Sequence, residues 1–187
     1  MENSVTRKDI WDIAAKAGLV LGLVSVAYLA VSQIMTPKTA SVGVSMLFYV
    51  LGLVLWGIKF GACIYLMKFF MKKLVVLHPE ASNTDTLRLG ICIAALSALI
   101  YSGFYLAFTT IIVPDTYDQA LSILQESYSS MLTSESMEQL ENMNFASLGF
   151  FSQLIYCFIY GTVLSLILSR NIPSRNPFER MDGADQQ

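Results

Sequence analysis

Residues 114–147 read PDTYDQALSILQESYSSMLTSESMEQLENMNFAS, and this stretch decides the fold. It is the longest polar interval of the chain. It carries six carboxylates (Asp115, Asp118, Glu126, Glu135, Glu138 and Glu141) and contains no Lys, Arg or His. Long apolar runs flank it on both sides, so every other segment is placed by asking on which side of a membrane this acidic interval lies.

The composition supports a membrane frame. The chain has 187 residues, of which 55% are hydrophobic and only 14% charged, where a soluble domain carries roughly 25% charged residues. Working outward, residues 89–113 give an uncharged run closed by Pro114, and residues 148–168 (LGFFSQLIYCFIYGTVLSLIL) give another. Upstream, residues 42–67 are interrupted once by Lys59, and residues 17–35 carry no charge. Each run reaches the roughly 20 residues needed to cross a hydrocarbon core. The second, at about 1.5 Å per residue, exceeds a 30 Å core and has to tilt or project. The first lacks the short apolar region and small-x-small exit of a cleavable signal, so it reads as a retained anchor. Ahead of it, Trp11 fits an interfacial lead-in. The expectation is therefore an all-α protein: one membrane domain over 1–187, a four-helix transmembrane bundle with an amphipathic helix outside the cytoplasm between spans 3 and 4.

Orientation follows from Lys and Arg in the short loops. Arg7, Lys8 and Lys16 precede span 1. Lys68, Lys72, Lys73 and Arg88 flank the second connection, and Arg170, Arg175 and Arg180 follow span 4. The first connection has only Lys38 and the acidic interval has none. Alternate connections agree, so both termini are expected in the cytoplasm and the acidic interval outside. The 81 residues between Arg88 and Arg170 hold no Lys, Arg or His that would resist translocation.

Within the acidic interval, Thr116 and Gln119 fit a capping box, and Asp115 and Asp118 suit a helix N-terminus. At 100° per residue, Tyr117, Leu121, Leu124, Tyr128, Met131 and Leu132 share one face, with Asp118 and Glu126 away from it. This stripe either lies across the outer ends of the spans, completing the bundle, or docks a partner. It is the candidate partner-docking face, with an envelope protein as the candidate partner. Lacking basic residues, it has no electrostatic pull towards anionic lipid.

Lys59 is the ionisable residue inside a span, and an intramembrane charge is a functional candidate by default. A lysine near the end of a span also carries its ammonium to the interface on its own stem, which is the expectation here. If Gly57 and Gly61 pack on a neighbour, Lys59 points away from it. With no Asp or Glu in any span to pair with it, a proton relay is not supported. Further small-residue ridges are Gly18, Gly22 and Ser25 on span 1, Gly90, Ala94 and Ala98 on span 3, and Gly161 and Ser165 on span 4. They predict close packing within the chain. The polar residues Ser97, Tyr101, Ser102 and Tyr105 of span 3, and Ser152, Gln153, Tyr156, Tyr160, Thr162 and Ser165 of span 4, either line a small cavity or act as hydrogen-bonding glue between helices, the latter being expected.

Catalytic signatures are missing. No GxSxG, HExxH or phosphate-binding glycine loop occurs, and one His without a Cys/His cluster assembles no metal set. Cys63, Cys92 and Cys157 fall inside apolar runs and read as small hydrophobes. No cofactor, metal or nucleic acid is expected; the basic connection is explained by topology and the lipid bilayer.

Three stretches carry a resemblance: residues 84–121 (TDTLRLGICIAALSALIYSGFYLAFTTIIVPDTYDQAL), residues 131–143 (MLTSESMEQLENM), and the end of span 4, Ser165-Leu166-Ile167-Leu168, before basic residues. The chain resembles a family of uncharacterised four-span bacterial inner-membrane proteins grouped as a domain of unknown function. The resemblance implies four helices and a bacterial inner-membrane location, and it brings no activity and no site residues. The tail, rich in Asp and Gln, departs from the family's short basic ending. Function is then expected to be non-enzymatic, an interaction or scaffold module that presents the outer helix. The alternative is a subunit of a small channel or transporter using the polar faces of spans 3 and 4, as a homo-oligomer because four helices enclose little pore.

Overall fold

Thr6 opens the first helix by closing a ring of hydrogen bonds with Asp9. The Thr6 hydroxyl and backbone N–H donate to Asp9 Oδ2 at 2.6 and 3.1 Å, and the Asp9 N–H donates back to Thr6 Oγ1 at 3.3 Å. Two otherwise unpaired N–H groups of the first turn are satisfied this way. The computed structural model describes residues 5–34, 42–79, 81–112, 122 and 144–172. Within them, α1 runs Arg7–Ile34 and α2 runs Val42–Leu77. α3 runs Asn83–Ala107 and continues as a π-helical turn over Phe108–Ile112, and α4 runs Phe145–Ser169. The protein is all-α, and all four helices are long and apolar enough to cross a membrane.

Local chemistry sets several boundaries. Ser82 caps α3 through a second reciprocal box: its N–H donates to Asp85 Oδ2 at 3.0 Å and the Asp85 N–H donates to Ser82 Oγ at 3.2 Å. Asn144 caps α4 by accepting the Ser147 N–H at 3.1 Å. The π-helical turn begins where Thr109 and Thr110 bond back to carbonyls of Tyr105 and Leu106, at 2.8 to 3.1 Å, a side-chain competition that loosens the regular ladder. α2 continues beyond the lysines at 68, 72 and 73 because Met71 and Leu74, both fully buried, occupy the opposite face of the same turns. Its 36 residues span about 54 Å.

α3 is the axis. α1 and α4 pack on it far more extensively than on any other helix, while α2 touches α1 mainly and α3 and α4 little. The α3–α4 contact is reciprocal. A Cβ added at Gly90 would stand 2.6 Å from Ser165 Oγ, and one added at Gly161 would stand 2.6 Å from Ala94 Cβ and 3.2 Å from Ala94 Cα. Gly90-x-x-x-Ala94 therefore lies antiparallel to Gly161-x-x-x-Ser165, small residue against small residue. On the other side of α3, Gly18 faces Leu96 and Gly22 faces Ile100, where an added Cβ would come within 2.6 to 2.8 Å. These ridges pack within the chain, as the sequence predicts.

The ridge on α2 does not. Gly57 and Gly61 have nothing within 4 Å. The largest side chains of the first half of α2 are exposed, with Tyr49 at 74% and Leu47 at 66%, whereas Met67, Met71 and Leu74 near its end are buried. The core cluster gathers Ile10, Ala14, Met71, Leu74, Leu89 and Leu168. It brings together the start of α1, the end of α2, the start of α3 and the end of α4. This is the basic end, with Lys16, Lys68, Lys72, Lys73 and Arg88 around it. From there α2 leans away.

The amphipathic helix expected between α3 and α4, with its stripe Tyr117, Leu121, Leu124, Tyr128, Met131 and Leu132, lies outside the described residues.

Overpacking the α3–α4 contact tests this arrangement. Gly161→Ala should destabilise the protein by about 1–3 kcal/mol, because backbone and not only a side-chain tip opposes the new methyl. Gly57→Ala should be close to neutral. Unfolding by sodium dodecyl sulfate titration, followed by circular dichroism, reads both; equal effects would contradict the assignment.

Candidate functional site

The lean of α2 leaves a cavity of about 90 Å³ between it and the other three helices. Its α2 wall is Trp56, Lys59, Phe60 and Cys63. Across from it stand Ser25 of α1, Ser97 and Tyr101 of α3, and Tyr156, Cys157 and Tyr160 of α4. One water needs roughly 10–15 Å³ of such space, so the cavity admits a small polar group.

Lys59 is the central element. Its Nζ sits 4.9 Å from the centroid of the Tyr28 ring and 4.9 Å from that of Tyr101. The ammonium is therefore held between two aromatic faces, each contributing roughly 0.5–2 kcal/mol, the upper end when desolvated. The ammonium expected to reach for the membrane interface turns instead to rings of α1 and α3. Lys59 stands nine positions before Lys68 on α2, about 14 Å along the helix. The condition set on its direction is not met. Gly57 and Gly61 face no neighbour, so the opposite side of α2, which bears Lys59, turns inward. Among the described residues no carboxylate lies within 4.0 Å of the ammonium; the carboxylates that do meet a basic side chain are Asp9 beside His78 and Asp85 beside Arg88, both at the basic end.

The aromatic rim has its own order. Trp56 stacks on Phe60 at 5.3 Å between centroids, and Phe60 meets Tyr160 at 5.2 Å, so three rings bridge α2 to α4. The Tyr160 hydroxyl is buried without a hydrogen-bond partner. Cys63 and Cys157 are free thiols on facing walls.

Sequence reasoning placed Tyr101, Tyr156 and Tyr160 among polar residues of spans 3 and 4 that either line a cavity or bridge helices. They line the cavity, together with α2, which the sequence did not implicate. The bridging expectation fails for the hydroxyls of Ser97, Ser102 and Ser165. Ser97 donates to the Ala94 carbonyl, Ser102 to that of Ala98, and Ser165 to that of Gly161, all within their own helices. Packing alone holds α3 to α4 at those positions. Tyr28 was missed: one tyrosine in an uncharged run gives no signal, except that a buried lysine nearby calls for a ring or a carboxylate.

A family model described as "Protein of unknown function (DUF4199)" matches residues 16–170. That range takes in most of α1 and all of α2, α3 and α4. No curated protein and no solved structure matches the chain.

The ring clamp on Lys59 is testable by a double-mutant cycle. Tyr101→Leu should cost more with Lys59 present than in a Lys59→Met background, the difference being about 0.5–2 kcal/mol, and Tyr28→Leu should behave alike. Additive effects in detergent unfolding would exclude the contact.

Proposed function

We propose, for a chain that belongs to the DUF4199 family of proteins of unknown function, that it is a non-enzymatic multi-pass membrane module that presents its acidic segment, residues 114–147, to a protein partner. The observation that carries this is the close seating of α3 on α4 through Gly90, Ala94, Gly161 and Ser165. The two helices that flank the segment form the firmest pair in the protein, and a rigid hairpin suits display. The same contact counts against a pathway between spans 3 and 4, because the backbones approach too closely to leave a water-filled route.

The side of display follows from charge. Six carboxylates and no cation occupy this segment, while Lys and Arg concentrate beyond the opposite ends of the helices. By the positive-inside bias the acidic segment faces outward and both termini face the cytoplasm of a bacterial cell, across its inner membrane. An apolar stripe of Tyr117, Leu121, Leu124, Tyr128, Met131 and Leu132 is the surface an envelope protein would meet, with the carboxylates setting charge complementarity for a basic partner.

The Lys59 cavity favours a second reading, a subunit of a small channel or transporter. At about 90 Å³ the cavity is a pocket for one small group, so transport would need an oligomer or a larger opening of α2.

The display reading is tested in intact cells. A photo-crosslinking residue at Leu124 or Tyr128 should capture one and the same protein, whereas one at Asp118 or Glu126 should not. Capture should vanish when Leu121, Leu124 and Tyr128 are replaced by Ser in a chain that still inserts. Equal capture from both faces, or capture that survives the triple replacement, would contradict it. A cysteine replacing Ser130 should react with a membrane-impermeant maleimide from outside; reaction only after permeabilisation would reverse the orientation.

A further inference from the structure

The cavity holds a cation deep in an apolar medium with two rings beside it and, among the described residues, no carboxylate opposite it. Ring faces offset only part of the desolvation cost of a charge, which is completed by a counter-charge or by water. We infer that the Lys59 cavity binds the carboxylate of a membrane-dissolved acyl chain, a free fatty acid. This goes beyond the display reading and does not depend on it.

Four observations converge on that ligand class. The size fits: about 90 Å³ accommodates a carboxylate, on the order of two water volumes, and is small for a glycerophosphate headgroup. The depth fits as well. Lys59 lies about 14 Å along its helix from Lys68, well below the level at which phospholipid phosphates sit, whereas a single-chain acid is not tethered there by a bulky headgroup. The donors match two carboxylate oxygens. The ammonium supplies one set, and the Tyr160 hydroxyl, on the α4 wall across the cavity and buried without a partner, supplies another once it turns towards the cavity; such charge-assisted contacts are the strong ones.

Finally, there is a way in for the ligand and room for its tail. Trp56 on α2 and Tyr156 on α4 both line the cavity and are 51% and 66% exposed. The two helices approach little apart from the Trp56–Phe60–Tyr160 rings, and the cavity opens beside those rings towards lipid. A carboxylate entering there leaves its acyl chain along the exposed apolar flank of α2, where Leu53 and Val54 are uncovered.

Trp56 is also the reporter. The chain has two tryptophans, so Trp11→Phe leaves Trp56 as the single emitter. In phosphatidylcholine nanodiscs, a dibrominated stearic acid should quench Trp56 saturably. In Lys59→Met the apparent Kd should rise by about tenfold or more, and Lys59→Arg should retain binding. The methyl ester of the same acid, which has the chain but no charge, should bind the Lys59 protein about tenfold or more weakly; this arm needs no cavity variant and is unaffected if Lys59→Met misfolds. Excess acetate should not relieve the quenching. Non-saturable quenching, equal quenching by acid and ester, or displacement by acetate would overturn the proposal, the last by identifying a site for free small anions.

Discussion

The contact between Gly90 and Ala94 on α3 and Gly161 and Ser165 on α4 is the constraint on which the rest of the structure depends. In lipid there is little hydrophobic gain from pressing one apolar helix onto another, so association rests on how closely backbones approach and how many atoms then meet. Two small residues on each helix, four apart and in antiparallel register, let α3 and α4 come together until an added methyl would overlap its neighbour. α1 uses Gly18 and Gly22 in the same way on the other flank of α3. Three helices are thereby fixed, and Ser102 and Ser165, both buried, bond back into their own helices.

α2 is different because its small residues are on the wrong side for that role. It is anchored at the basic end, where Met67, Met71 and Leu74 enter the shared core, and departs from its neighbours towards the other end. Its departure makes room for Lys59. A cation in the middle of a membrane is costly wherever it is placed. Here the Tyr28 and Tyr101 rings from two of the fixed helices flank it, and the gap opposite holds the cavity. The rigidity of the three-helix part and the stand-off of the fourth are thus two sides of one arrangement: aromatic faces at fixed positions, and a charged side chain brought to them by a helix otherwise left to the lipid.

Much of this was legible in the sequence, and the physical reasons are specific. Uncharged runs of membrane length and clustered Lys and Arg are composition signals, so the four helices and the gathering of basic residues at one end could be read directly. The start of α3 is likewise fixed by a local signal, the box that Ser82 forms with Asp85. The small-residue ridges of α1, α3 and α4 announced close packing. What could not be read was which face of α2 turns inward. Gly57 and Gly61 carry the same spacing as the ridges that pack, and nothing local distinguishes a ridge that meets a partner within the chain from one that does not. That Lys59 meets two rings could not be read either, because a lysine in an apolar run carries no mark of which neighbours its helix will face. Tyr28 gained its role only from the meeting of α1 with α2. The apolar stripe of the acidic segment stays as its sequence describes it, a surface inferred from periodicity.

Disulfide trapping of α3 against α4 in the membrane tests this account most directly. In a chain whose Cys63, Cys92 and Cys157 are replaced by Ala, Gly90→Cys combined with Ser165→Cys should crosslink readily under mild oxidation: the two Cβ positions face each other 2.7 Å apart, so the helices need part by only about 1 Å to reach the roughly 3.5–4.5 Å of a disulfide. Gly90→Cys with Gly161→Cys, one turn out of register, should stay largely reduced. Equal crosslinking of the two pairs, or a failure of the first, would contradict the α3–α4 seating against which α1 packs and the Lys59 cavity forms.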